Sequence, residues 1–293
     1  MGFLRMTSLL IWPLILIVPL ILTYNSYYEK VFDRQWYDPE LNQTRPSPLG
    51  LTLGLVTVAI GQIFTIIYHF LHVRVGLFGE VRGIHKDGVE NYDFWTETKH
   101  HLAQPEGFVI LGLYLIGTWM VRLMPDSYYQ FEGGIDWVKV LMQLLLQDAI
   151  QCGMHILEHE IDKILGTKLW FYRKSHKPHH RFISPKYFDA FNGSVADTFF
   201  MILVPLFITK SVIHTNVWSY MAFGTLYANW LCLIHSEVQH PWDGVFTLVG
   251  FGTAADHHVH HQLFNFNYGH LFTYTDRICS TYKAPSTVNK FTI

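Results

Sequence analysis

Three features of this sequence predict an all-α, polytopic membrane bundle of about four to six membrane helices capped by a cytosolic His-rich metal-binding domain. Half of the 293 residues are apolar and only 15% are charged, whereas a soluble domain carries about 25% charged residues. Apolar runs recur along the chain. Twelve of the 18 His fall between His155 and His261. The formal net charge of −2 gives no reason to expect a nucleic-acid partner. The three Cys (Cys152, Cys232, Cys279) form neither a C-x-x-C pair nor a disulfide framework and read as reduced thiols.

The first apolar run, residues 8–23, has the length of a signal-anchor helix. No small-x-small cleavage site follows it, and lipid tolerates its Pro13 and Pro19. Residues 24–48 are mixed polar and end in RPSP, a linker. Further spans are predicted over 50–71, 107–121 and 136–154, the last running on as helix into His155-Ile-Leu-Glu-His159. Two apolar runs, 198–209 and 217–234, read as a helical hairpin, spanning or re-entrant. If all His clusters share one face, that face carries 15 Lys and Arg in residues 1–7, 72–105, 151–196 and 235–293. The opposite face, residues 24–48, 125–135 and Lys210, carries 4. The excess of positive charge puts the His clusters in the cytosol. The sequon at Asn42 then faces the opposite side, and the one at Asn192 is silent.

Four His groups carry the chemistry. His155 and His159 stand at i and i+4 on one helix face. His176, His179 and His180 form an H-x-x-H-H motif, His235 follows the hairpin, and His257, His260 and His261 form a second H-x-x-H-H. One zinc takes three or four ligands, so nine imidazoles suit two metals with open positions. Imidazole accepts zinc, copper or iron, and ligand type alone does not choose among them. His69, His72, His85, His100, His101, His214 and His270 read as core or interface residues. Asp148 lies two turns before His155 on the same face and is a candidate to orient a ligand ring. Asp197 opens the hairpin and is a second such candidate. Asp276 is suited to orienting a ring or to capping locally. Glu158, Glu160 and Asp162 read as a solvated face.

With these motifs in place, the chain resembles the membrane-bound fatty acid hydroxylase and sterol desaturase superfamily. Asp148 with His155 and His159 matches its D-x6-H-x3-H helix, KSHKPHH its second box, and His235 its hairpin-exit His. The ending HHVHHQLFNFNYGHLFTYTDRI looks most like a sterol C5-desaturase of the lathosterol oxidase type. The resemblance covers roughly 105–285. It divides the chain into N-terminal membrane helices and linkers (1–104), a hydroxylase/desaturase-like catalytic domain (105–285) and a tail (286–293). It implies an endoplasmic-reticulum membrane enzyme with two non-haem iron ions, using O2 and electrons from NAD(P)H through cytochrome b5 and its reductase. The implied substrate is a Δ7-sterol, desaturated at C5–C6. The chain holds no H-P-G-G haem motif, so electrons come from a partner. The sequence departs from the family at Ser194, where a His is usual, at His258, where hydroxylases have Asp, and at Thr275, in place of Trp. A sterol, fatty-acid or sphingoid-base hydroxylase, or an inactive His-rich metal-binding membrane protein, stays open as an alternative.

Overall fold

The computed structural model describes residues 48–292 apart from 105, 106, 108, 122, 130–132 and 167–169. The apolar run 8–23, the linker up to residue 47 and the Asn42 sequon lie outside the described residues. Among these, the architecture is a helical membrane bundle. The β-type pairings are isolated bridges at Gly83–Val238, His85–Phe291 and Phe251–Phe272.

Helix α1 (Pro48–Phe70) continues through a π-turn, Leu71–Val75. Then come α2 (Phe94–Leu102), α3 (Ile110–Met120) and the long α4 (Trp137–Ile164). The short α5 (Trp170–Lys174) leads to α6 (Val195–Thr198), which runs through a π-turn, Phe199–Leu203, into α7 (Val204–Val212). Helix α8 (Val217–Ile234), α9 (Asp243–Leu248), α10 (Ala254–Leu263) and α11 (Tyr274–Ile278) complete the chain. Short polar side chains fix where several helices begin. The backbone N–H of Thr96 donates to Asp93, that of Lys139 to Asp136 and that of Ser219 to Asn216, while Thr253 and Asp256 form a reciprocal capping box at α10.

Three rods among the described residues are long and apolar enough to cross a bilayer: Val58–Val75, Trp137–Ile164 and Val195–Val212. Ile63 and Phe64 on α1 and Val138 on α4 keep more than half of their surface exposed, as lipid-facing side chains do. The run 107–121, expected to span, contains the apolar α3, preceded by π-helical backbone at Gly107 and Val109. The two hairpin arms also differ. The first is long and apolar enough to cross. Helix α8, although 18 residues long, turns Ser219, Tyr220 and Tyr227 inward and is a core helix of the bundle.

Small and polar residues bring these helices together, as is usual in membranes. A Cβ at Gly61 would lie 2.5 Å from Thr225 Cγ2, so glycine lets α1 approach α8. Beside it Gln62 Nε2 donates to Asn229 Oδ1 at 2.8 Å. Thr209 donates to Gln147 at 3.0 Å between α7 and α4, and Tyr227 donates to Gln151 between α8 and α4. Segment 83–86 is held between residues 237–239 and the C-terminal residues. Ile84 donates its N–H to Glu237, Thr292 donates to Ile84, and Phe291 is buried against Ile84 and Val259.

Candidate metal centre

The C-terminal end of α4 carries His155 and His159 one turn apart. After α5, the turn around Pro178 leads into a 3-10 turn at His179–Arg181, which presents His176, His179 and His180 to the same space. His235 is the C-cap of α8, and α10 supplies His257, His260 and His261. The nine side chains fall into two groups able to hold a metal ion. His155, His159, His176, His180 and His260 form the first, and His179, His235, His257 and His261 the second. Donor atoms within each group lie within 4.8 Å of one another, and every donor is buried. The two H-x-x-H-H motifs interleave. His176 and His180 serve the first group and His179 the second; His260 serves the first, His257 and His261 the second.

Hydrogen bonding shows that this arrangement suits cations. His155 Nδ1–H donates to the Tyr268 carbonyl at 2.8 Å, and His176 Nδ1–H to Asp197 Oδ1 at 2.7 Å. His260 Nδ1–H donates to the Phe266 carbonyl at 2.7 Å, and His235 Nδ1–H to the Leu231 carbonyl at 2.6 Å. These partners only accept, so Nε2 carries the lone pair. Yet His155 Nε2 faces His176 Nε2 at 2.8 Å, with no proton between them. His257 Nε2 and His235 Nε2 face each other at 3.0 Å, and His260 Nε2 and His180 Nε2 at 3.1 Å. The lone pairs converging between His155 and His176 repel unless a cation sits among them, and the Nδ1 of His180 and of His257 has no hydrogen-bond partner to fix a competing tautomer. Burial holds His176, His180, His257, His260 and His261 well below the usual imidazole range, and His179 at about 4, with neighbouring imidazoles adding to the effect on the five. All six are therefore neutral donors at physiological pH. An all-imidazole set of this kind fits iron, zinc or copper rather than magnesium or calcium.

The NFNYGHLF run explains why a loop follows the second motif so closely. Phe264 and Asn267 adopt left-handed backbone conformations, with φ 63° and 53°. The Asn267 amide holds the bend by donating to the Asp256 and Lys283 carbonyls. The chain thereby brings the Phe266 and Tyr268 carbonyls to two ligand rings. Two carboxylates clamp the loop. Asp276 accepts the N–H groups of Tyr268 (2.8 Å) and Gly269 (2.7 Å), and Asp148 those of His270 (3.0 Å), Leu271 (2.6 Å) and Phe272 (3.3 Å). Gly269 is required here, because a Cβ would lie 2.5 Å from the Phe272 carbonyl oxygen.

Asp148 was expected to orient a ligand ring, and here the structure differs. Its carboxylate meets backbone N–H groups of a loop more than a hundred residues away and acts on His155 only through that loop. Asp197 does contact a ring, that of His176. The expected solvated face on α4 is also corrected. Glu158 and Asp162 are buried, with Glu158 Oε2 3.6 Å from His176 Nδ1 and Asp162 accepting the N–H groups of Phe171 and Tyr172. Only Glu160 stays at the surface, paired with Lys163. Ser194, at the position of the family His, caps α6 and donates to the Ser175 carbonyl at 2.7 Å.

His270, read from sequence as a core residue, proves to be part of the site. Its ring lies 5.2 Å from that of His155 and 4.9 Å from that of His257, between the two groups. It lines a small cavity together with Gln151, His176, His179, Asp197 and His235. The only signal for it was its place directly after the Asn-Tyr-Gly turn. Of the other His, His69 faces Glu237 at 3.4 Å, His85 pairs with His258 at 2.8 Å, and His100 and His214 lie towards the surface.

A second, apolar cavity adjoins the first inside the bundle, between α1, α3, α7 and α8. Phe191, Ile202 and Leu231 line both. No polar atom faces the inner one.

Fold and site define a polytopic membrane protein with a buried, all-imidazole centre beside an apolar chamber. Residues 140–281 match the fatty acid hydroxylase family model. The chain belongs to the fatty acid hydroxylase and sterol desaturase superfamily, a superfamily of membrane oxidoreductases. It is 51% identical over 283 residues to an alternative squalene epoxidase of Phaeodactylum tricornutum, covering 94% of this chain and 79% of that one. It is 32% identical to a Delta(7)-sterol 5(6)-desaturase of Candida glabrata, over 80% of this chain and 58% of that one. It is 33% identical to a lathosterol oxidase of Rattus norvegicus, over 55% of this chain and 51% of that one. No solved structure matches it.

Proposed function

We propose that this chain is an endoplasmic-reticulum, O2-dependent non-haem diiron oxygenase that epoxidises squalene. The observation that carries the reading is identity with an alternative squalene epoxidase over 94% of the chain, at 51%, against 32–33% for the sterol desaturases. The chamber supports it, because a wall without polar groups suits a hydrocarbon.

His155, His159, His176, His180 and His260 would hold one iron ion, and His179, His235, His257 and His261 a second. When bound, the pair supplies reductive activation of O2. One oxygen atom goes to the alkene and the other to water, using two electrons and two protons. The electrons come from NAD(P)H through cytochrome b5 and its reductase. The polypeptide supplies position and dryness. Asp197 and the Tyr268, Phe266 and Leu231 carbonyls keep the proton on Nδ1 of their rings, leaving Nε2 free to bind. Asp148 and Asp276 fix the loop that carries two of those carbonyls. Phe191, Ile202 and Leu231 place the substrate double bond at the junction of the two cavities. The apolar chamber takes the rest of the hydrocarbon and excludes water.

A second reading, C5-desaturation of a Δ7-sterol, is favoured by the NYG and TDR elements of the ending. It draws on the same site but removes two hydrogens and releases two waters. Expression in two yeast strains separates the readings, one lacking squalene epoxidase and one lacking sterol C5-desaturase. The epoxidase reading expects 2,3-epoxysqualene and restored sterols in the first strain only. Rescue of Δ5,7-sterols in the second strain alone overturns it in favour of desaturation. Metal analysis of a His179→Ala, His260→Ala double variant tests the centre itself, and unchanged metal content rules it out.

A further inference from the structure

The inner chamber is bounded by one face of α8. Leu231, Ala228, Gly224 and Met221 follow one another along its wall at helical spacing, leading away from His235 at the helix end. At 1.5 Å per residue, Ala228 lies about 10 Å and Gly224 about 16 Å along the axis from His235. The two smallest side chains on this face therefore stand two and three turns inward from the site, with Met221 beyond them. Gly224 is not needed for helix packing. A Cβ built on it meets nothing within 4 Å, whereas at Gly61 on the facing helix a Cβ is blocked. Glycine is disfavoured in a helix interior, so its presence here has the effect of leaving depth. The chamber's tyrosines offer no anchor, since neither hydroxyl faces it and that of Tyr227 is already bonded to Gln151.

We propose that α8 is a length ruler. It selects lipids whose hydrocarbon part extends at least three helical turns inward from the metal-facing cavity, and Ala228 and Gly224 are its graduations. Chamber and site share Phe191, Ile202 and Leu231, so the occupant is the far end of the substrate lipid itself. The inference deepens the reading of a long isoprenoid substrate and rests on it for the identity of the lipid.

The test uses purified full-length protein in nanodiscs and reads equilibrium binding of two radiolabelled hydrocarbons, squalene and the shorter farnesene. No turnover is needed. Gly224→Phe is expected to weaken squalene binding by about tenfold or more while leaving farnesene within about twofold. Ala228→Phe, one turn nearer the site, is expected to weaken both. Gly117→Phe, on α3 and also free of contacts within 4 Å, lies outside the chamber and is expected to change neither. Should Gly224→Phe fail to fold, Ala228→Leu is expected to weaken squalene more than farnesene. Unchanged squalene binding in Gly224→Phe, equal loss of both probes in it, or wild-type sites filled only by nanodisc phospholipid would each overturn the ruler. A wild type that discriminates by length but makes no epoxide in yeast overturns the epoxidase reading and leaves the ruler standing.

Discussion

Asp197 touches one ring, and the consequence is measurable. Its carboxylate receives the Nδ1 proton of His176 and so directs the Nε2 lone pair inward. Asp197→Asn is expected to lower metal affinity by about 10- to 100-fold, read by titration against a competing chelator, with helix content unchanged. The buried imidazoles also set a pH dependence. In the unfolded chain a His takes up its proton near pH 6.5, whereas burial delays this to about 4 at His179 and about 3 at His270. The unfolded chain therefore binds more protons as pH falls. Stability of the metal-free protein is full above about pH 6.5 and declines toward about pH 4, by about 1.4 kcal/mol per pH unit for each such group. Thermal unfolding across that range checks it; a flat profile contradicts burial of neutral rings. The donor residues were legible because two H-x-x-H-H motifs, an H-x-x-x-H and a lone His recur at helix ends. The roles of Asp148 and Glu158 were not, because what each carboxylate meets is decided by a loop or helix far away in sequence.

Among elements, the close approach of α1 and α8 is the most exposed to change. Gly61→Val places methyl groups where Thr225 and Asn229 already stand. It is expected to destabilise the bundle by about 1–3 kcal/mol, seen as a lower midpoint of thermal unfolding in detergent with metal stoichiometry intact. The long α4 was legible from its apolar run continuing into HILEH. The inward turn of α8 was not, because its Ser219 and Asn229 find partners on other elements. The π-turn at Phe199–Leu203 is likewise silent in sequence, yet it carries Ile202 to the junction of the two cavities.

For the molecule as a whole, orientation is the property to test. Cys279 is exposed while Cys152 and Cys232 are buried, so the chain carries one accessible thiol among the described residues, on the His-bearing side. A membrane-impermeant maleimide added to sealed microsomes is expected to label Cys279 without detergent. Labelling only after permeabilisation reverses the proposed topology. Motifs revealed the family over the second half of the chain. They said nothing of how the first third joins it, where Gly61, Ile84 and His85 dock onto α8, the C-terminal residues and His258 through contacts without periodicity.

The interleaving of the two H-x-x-H-H motifs has a thermodynamic consequence. Each motif is one short stretch of backbone, and each sends rings to both groups. Filling the first group orders the turn that carries His179 and the helix that carries His257 and His261, so the second ion meets donors whose entropy is already lost. Metal uptake is therefore expected to be positively cooperative. Native mass spectrometry of the metal-free protein titrated with zinc should show empty and doubly loaded molecules, with half-loaded ones scarce. A statistical distribution of half-loaded species would mean that the two groups fill independently.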